Sequence, residues 1–423
     1  MKNWSKKNIS GGTTLILSLM AVNVINFIFN AFLGRVLSFE EFGLITLINT
    51  FLYIAIIPFN ALFTTTNHKV AYLLGQSKTE KAQSFFTTTL RKTAFISFVV
   101  SCIWIATIPL IDIFFKINNY FVPLFFTPII TLGVITAVNK GFLQGKFYFH
   151  YIAVIITVEA LCKLLFAWLF VSGKLNYLVY LSIPLSTFAA FLFAAYFTSQ
   201  EFIGAKSTVD YKFPKKFFNA SLLTGIASIA FLTCDVLLVK HFLSPEQAGQ
   251  YSLLSLIGKM VFFFGSLPSS LIITFINQDE GKNRDTKKSF YTLFSATIIF
   301  SAGAFIGLGL FGGIFVPLLF GFKARTILPF LTTYAAAIMC YAIASSLVLY
   351  HLAKRQYIFP KISAVMAGIM ALGIIVFHQG IAQITTVIFF TSLFTLTVLS
   401  TLHLLETYTR LGQTERLFMV HNE

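Results

Sequence analysis

Apolar stretches long enough to cross a bilayer follow one another along almost the whole chain, and they leave few folds open. A spanning helix needs about 20 mainly apolar residues. Stretches of this kind run roughly over 11–34, 42–66, 93–115, 121–143, 148–171, 176–198, 217–239, 249–276, 289–319, 326–350, 357–377 and 382–405. Charged residues are only 11% of the chain and hydrophobic ones 57%, where a soluble domain carries about 25% charged residues. The sequence therefore predicts an all-α polytopic membrane protein of about twelve transmembrane helices.

The same segments exclude several functions. Lys+Arg outnumber Asp+Glu by 31 to 15, yet the basic residues are scattered over short loops and form no nucleic-acid footprint. Cys102, Cys162, Cys234 and Cys340 all fall within apolar runs and read as small buried hydrophobes, with no disulfide framework. There is no Gly-rich phosphate loop, no His/Cys metal spacing and no loop long enough to fold as a domain. The expected protein is a transporter and not an enzyme, with no metal and no cofactor. The N-terminal Lys2, Lys6 and Lys7 precede an apolar run that continues to Phe32 without a cleavage signal, so it reads as a first membrane helix and not a removed leader.

One phrase is written twice. Phe32 to Gly43 reads FLGRVLSFEEFG, and Leu238 to Gly249 reads LVKHFLSPEQAG. Leu37, Ser38, Glu40 and Gly43 recur 206 residues later as Leu243, Ser244, Glu246 and Gly249, and Gly75 and Lys81 recur as Gly281 and Lys287 at the same offset. Both copies read as helix starts: Ser38 with Glu41 and Ser244 with Gln247 have capping-box spacing, and Pro245 suits a first helical position. A second echo pairs Gly145–Tyr151 with Lys354–Pro360. Six predicted helices precede the restart, so the halves share one orientation about an axis along the membrane normal. The expected divisions are an N-terminal six-helix lobe over 1–198, a linker over 199–216 and a C-terminal six-helix lobe with its tail over 217–423.

The distribution of basic residues predicts orientation. One side carries Lys2, Lys6 and Lys7, then Lys69, Lys78, Lys81, Arg91 and Lys92, with further basic residues at each later turn on that side. The other has only Arg35, Lys116, Lys174, Lys240, Lys323 and Arg325. Both termini are expected in the cytoplasm, with the chain in the cytoplasmic (inner) membrane.

Charges within apolar spans cost about 2.5–3.5 kcal/mol each at a helix centre on insertion scales, so each needs a reason. Glu159 and Lys163 stand at i, i+4 with the acid first, which suits an ion pair on one helix face; they read either as a functional pair or as a packing pair. Lys259 lies too deep for its stem to reach water easily. Lys140 and Arg35 sit nearer helix ends. Asp235 is placed either to pair with Lys240 or to take a coupling cation. Asn23, Asn26 and Asn30 share one face of the first helix, where they either bond between helices or line a polar wall for sugar hydroxyls. Pro58 and Pro268 interrupt corresponding helices of the two halves and read as hinge candidates.

The phrases GRVLSFEEFG, CDVLLVKHFLSPEQAGQYSLLSLIGK and GFLQGKFYFHYIAVIITVEALCKL resemble the polysaccharide-exporter branch of the multidrug/oligosaccharidyl-lipid/polysaccharide flippase superfamily, O-antigen (Wzx-type) flippases in particular. That resemblance implies two pseudo-symmetric six-helix lobes around a central cavity. It implies alternating-access transfer of undecaprenyl-pyrophosphate-linked oligosaccharide, coupled to a proton or sodium gradient. Lys259, Lys163, Arg35 and Lys140 would meet the pyrophosphate, the three asparagines the sugars, and Glu159 and Asp235 the coupling ion. The implied partners are the lipid-linked oligosaccharide, the phospholipid bilayer and other polysaccharide-assembly proteins. The alternatives are a cation-coupled small-molecule exporter of the same fold and a membrane glycosyltransferase or polymerase.

Overall fold

A computed structural model describes residues 2–37, 39–115, 121–203, 213–320 and 322–420. The chain is all-helical. Its first six helices are α1 (Lys2–Val36), α2 (Phe39–Gly75), α3 (Thr79–Phe115), α4 (Phe121–Gly145), α5 (Phe149–Ser172) and α6 (Ser182–Ile203). They are followed by α7 (Lys215–Phe242), α8 (Pro245–Gly265), α9 (Ile272–Gly281), α10 (Lys287–Ala304), α11 (Gly312–Phe320), α12 (Leu328–Ala353), α13 (Ile358–Val376) and α14 (Ile381–Val420). Among the described residues ten helices are long and apolar enough to cross a membrane, and α8 with α9 forms an eleventh span bent by 44°. The long α2 brings the spans into line with the twelve read from the sequence. The protein is a multi-pass membrane protein.

The helices fall into two compact units. Unit 1 is Met1–Gly225 with Ile273–Thr286; unit 2 is Ile226–Ile272 with Lys287–Glu423. The division differs from the sequence boundary at 199–216 in two ways: it cuts within α7, and it assigns α9 to unit 1. The physical reason for the second is close backbone packing. A Cβ on Gly75 would stand 2.5 Å from the Gln278 carbonyl oxygen, so α9 approaches α2 more closely than any side chain allows.

In unit 1 one core joins α1, α2, α4, α5 and α6 around buried Phe29, Phe51, Phe126, Ala167 and Ile183. Phe51 meets Trp104 edge-on at 5.2 Å, and the Trp104 indole N–H donates to the Pro123 carbonyl at 2.9 Å. A second core sets Phe85 and Phe86 of α3 against Val138 and Phe142 of α4. In unit 2 the core is Phe231, Tyr251, Leu254, Ile257, Val261, Tyr334, Ile338, Tyr341, Met370 and Ile384. The other faces of the helices are apolar and open, as with Phe95, Phe98 and Ile103 of α3, which is what a lipid-facing surface requires.

The turns repeat between halves. After α2, the amides of Gln76, Ser77 and Lys78 reach back to Tyr72, Leu74 and Leu73. After α9, Lys282, Asn283 and Arg284 reach back to Gln278, Glu280 and Asp279 in the same pattern. Ser77 and Asn283 both take the left-handed conformation, with φ of 59° and 53°, as this type of helix C-cap demands. The turns after α4 and α12 match in turn, with Phe147 and Arg355 at φ 63° and 62°. Ser244 caps α8 as its spacing predicts, accepting from the Gln247 amide, with Pro245 in the first turn. Ser38, its counterpart in the first copy, lies outside the described residues.

Candidate functional site

Among the described residues, the sequence-predicted charges within the apolar helices gather in two polar clusters, one in each unit. The unit 2 cluster is built on Asp235 of α7, which is 1% exposed. Tyr251, Ser255 and Lys259 stand at i, i+4 and i+8 on α8, so one helix face presents all three side chains to the carboxylate. Tyr251 donates to Asp235 Oδ2 at 2.8 Å, and the Tyr334 hydroxyl of α12 donates to the same oxygen at 2.7 Å. Lys259 Nζ lies 3.3 Å from Oδ1. Ser255 lies 3.1 Å from the Tyr334 hydroxyl. Gly258 makes room for this arrangement, since a Cβ there would stand 2.2 Å from the Tyr334 ring. The buried carboxylate is thus met by a lysine and two phenols, the pairing a charge in a low-dielectric interior needs. Asp235 takes Lys259 as its partner and not Lys240, which is exposed.

The unit 1 cluster gathers α1, α4 and α5. Lys140 of α4 lies 3.8 Å from Glu159 of α5. Lys163 donates to the Asn26 side-chain oxygen of α1 and sits 4.8 Å from the centre of the Phe29 ring. The i, i+4 spacing of Glu159 and Lys163 puts both on one face of α5, within reach of each other's charge, and each also contacts a different neighbouring helix. Glu159 and Lys140 remain partly open, at 37% and 23% of the side chain. Asn23 is half-buried. The side chains of Asn30 and Arg35 lie outside the described residues.

Of the two hinge candidates, Pro268 coincides with a break: a 3-10 turn over Pro268–Leu271 separates α8 from α9. Pro58 lies within an unbroken α2. Two further buried pairs tie α2 to α9 in unit 1. Asn67 Nδ2 donates to Thr274 Oγ1 at 2.9 Å. His68 Nδ1 meets Asn277 Oδ1 at 2.6 Å, with its ring stacked 3.8 Å from Phe217. Sequence reasoning passed over Tyr251, Ser255 and Tyr334. The spacing of Tyr251 and Ser255 ahead of Lys259 was a readable signal; Tyr334, on a distant helix, carried none. Among the described residues no group of His, Cys, Asp or Glu is arranged to hold a metal ion.

No family model matches the chain, and no curated protein matches it either. Solved structures do. A mutant of the Vibrio cholerae MATE transporter VcmN aligns over 95% of this chain and 96% of its own, with 12% identity and a TM-score of 0.78. An outward-facing multidrug resistance MATE family transporter of the MOP superfamily aligns over 96% of both chains, with 13% identity and a TM-score of 0.72. The eukaryotic MATE transporter AtDTX14 aligns over 95% of both, with 12% identity and a TM-score of 0.72. These likenesses establish the fold: this chain has the two-lobed, all-helical architecture seen in MATE transporters.

Proposed function

We propose that the chain is a secondary membrane transporter working by alternating access, and that its cargo is an anionic lipid-linked oligosaccharide. The carrying observation is the charge balance of the unit 1 cluster. Lys140 pairs with the one carboxylate of the cluster, Glu159, while Lys163 bonds to the Asn26 oxygen and feels Glu159 only through its charge, which leaves an excess cation among the described side chains of these helices. An unmatched cation at that depth favours an anionic partner, and a pyrophosphate supplies one. Asn23 and Asn26, with Asn30 on the same sequence face of α1, then offer hydrogen bonds to sugars, and Arg35 is a further cationic candidate from the sequence. The open apolar helix faces suit a cargo whose lipid tail stays in the bilayer. The pyrophosphate carrier lipid and the surface polysaccharide enter through the resemblance of the repeated phrases.

In this reading unit 2 couples the ion. Lys259 is held by Asp235, and a proton taken by Asp235 removes the lysine's counter-charge and frees it for the cargo's phosphate. Glu159 is the equivalent acid of unit 1. The basic-residue bias supports cytoplasmic termini and an inner-membrane location, and assembly proteins for the same polysaccharide are the expected partners.

A second reading, the cation-coupled export of small molecules, has more direct support from the comparisons, since a structural neighbour is a multidrug resistance transporter. The buried Asp235 suits it as well. Purified protein in liposomes separates the two. Transfer of a fluorescent lipid-linked oligosaccharide between leaflets, abolished by Lys163→Ala, is the expected result. Efflux of a cationic dye with no movement of the oligosaccharide would replace the first reading with the second.

A further inference from the structure

A third polar cluster lies in unit 2, apart from Asp235. It joins the C-terminal end of α12, the start of α10 and the far part of α14. His351 of α12 and His403 of α14 are 2% and 7% exposed. His351 Nε2 and His403 Nδ1 are 2.9 Å apart. At one end of the pair, His403 Nε2 lies 3.1 Å from the Tyr291 hydroxyl of α10. At the other, His351 Nδ1 meets Glu406 Oε2 at 3.4 Å and the side-chain oxygen of Gln356. The ring of His351 lies flat on Phe359, 3.4 Å away and 3° from parallel, so its orientation is fixed. The titratable and charged groups around the pair include Lys287 and Tyr291 from α10, Tyr350 from α12 and Glu406 from α14. α13 contributes the ring of Phe359.

These partners dictate where protons sit. A carboxylate and an amide oxygen accept only, so His351 Nδ1 carries a hydrogen. In the neutral pair His351 Nε2 must then accept from His403 Nδ1–H, and His403 Nε2 accepts from the Tyr291 hydroxyl. Every hydrogen bond points the same way, from Tyr291 toward Glu406. One added proton has a complete second arrangement. It enters at the Tyr291 end, where that ring is 42% exposed, and binds His403 Nε2. The His403 Nδ1 proton passes to His351 Nε2. His351 is then an imidazolium that donates to Glu406 and back to His403 Nδ1, and His403 Nε2–H donates to the Tyr291 oxygen. One proton has been gained, no hydrogen bond has been lost, and the charge ends on the ring beside the carboxylate.

We propose that the Tyr291–His403–His351–Glu406 chain is a binding site for a single proton. The two rings act as one acid, because a second proton would leave two facing N–H groups and two adjacent cations in a buried place. The site stands on the geometry of the chain and not on the transport reading, so it holds or fails by itself.

The test uses the full chain carrying nitrogen-15 in its histidine rings, in nanodiscs, followed by NMR. Signals are assigned with His351→Gln and His403→Gln, and exposed His150 and His241 serve as internal references. Over about pH 5–8, the range in which histidine changes charge, one ring of the pair should become an imidazolium. The other should exchange its tautomer at the same pH and stay neutral. Glu406→Gln, a change at a partly exposed side chain that keeps the fold, should lower the pair's protonated fraction at a given pH about tenfold, since it removes a counter-charge. Two rings that each become cationic in separate steps would overturn the proposal. So would a pair that keeps one state while His150 and His241 titrate, or a Glu406→Gln profile equal to wild type.

Discussion

Gly75 and Gly281 hold equivalent places in the two halves of the chain, and they lie against each other: a Cβ on Gly75 would stand 2.8 Å from the Gly281 Cα. The last turns of α2 and α9 therefore meet at the same residue of the repeat. Nearby, Asn67 binds Thr274 and His68 binds Asn277 across the same pair of helices. A single methyl at either glycine would push backbone against backbone and strain both polar pairs.

Gly75→Ala and Gly281→Ala are each expected to destabilise the protein by about 1–3 kcal/mol, the range for overpacking a tight contact. Gly303→Ala serves as the control, because nothing lies within 4 Å of a Cβ there, and it should be neutral or slightly stabilising in its helix. Thermal unfolding in detergent measures all three. Equal melting temperatures for Gly75→Ala and Gly303→Ala would contradict the close approach.

This contact also shows what was legible in the sequence. The repeat of Gly75 as Gly281 and the offset of 206 were visible in the letters, because each half must cap and turn its helices in the same way. That the two copies touch was not visible, since packing between distant helices leaves no local pattern. The spans followed from apolar length, and the cap at Ser244 from its spacing. The partners of the buried charges did not follow. Glu159 and Lys163 looked like a pair because α5 was read alone, and the neighbouring α1 and α4 supply nearer partners. Asp235 was read beside Lys240 for the same reason, while α8 places Lys259 against it. The His351–His403 pair, 52 residues apart, had no sequence signal.

The charges in unit 1 give a test of that difference. The exchange of Glu159 and Lys163 by the double change Glu159→Lys with Lys163→Glu should not restore function. It sets a second ammonium against Lys140 and a carboxylate against the Asn26 oxygen. The exchange across helices, Lys140→Glu with Glu159→Lys, keeps the inter-helix pair and should recover abundance relative to either single change. Recovery by the first exchange and not the second would show that the i, i+4 pair is the working one.

Asp235 and Lys259 are a buried couple, and removal of one partner should cost more than removal of both. Asp235→Asn leaves Lys259 without its counter-charge, with an expected loss of about 3–5 kcal/mol. The double change Asp235→Asn with Lys259→Met should regain most of this in unfolding experiments and still lack transport. Tyr334→Phe removes one charge-assisted hydrogen bond and should cost about 1.5–3 kcal/mol. Additive losses in the Asp235–Lys259 double variant would argue against the pair.

Glu201 gives a pH prediction, since it lies just past the membrane span that ends at Ser199. It accepts from Gln83 of α3 and from Lys146 in the turn after α4. Burial pushes its carboxyl up, but the bonds from Gln83 and Lys146 and the lysine's charge outweigh this and hold it below the ordinary carboxylate value of 4.5. A depressed folded value means that folding favours the ionised form. The contribution to stability is therefore full above about pH 4.5 and is lost as pH falls through the lower folded value. Glu201→Gln should melt below wild type at pH 7, and the gap should close as the pH is lowered past the ordinary carboxylate range. Lys146→Met should reproduce the effect by removing the other half of the pair. A gap between Glu201→Gln and wild type that stays constant down to about pH 3 would mean that the charge of Glu201 is not what holds the α3, α4 and α6 ends together.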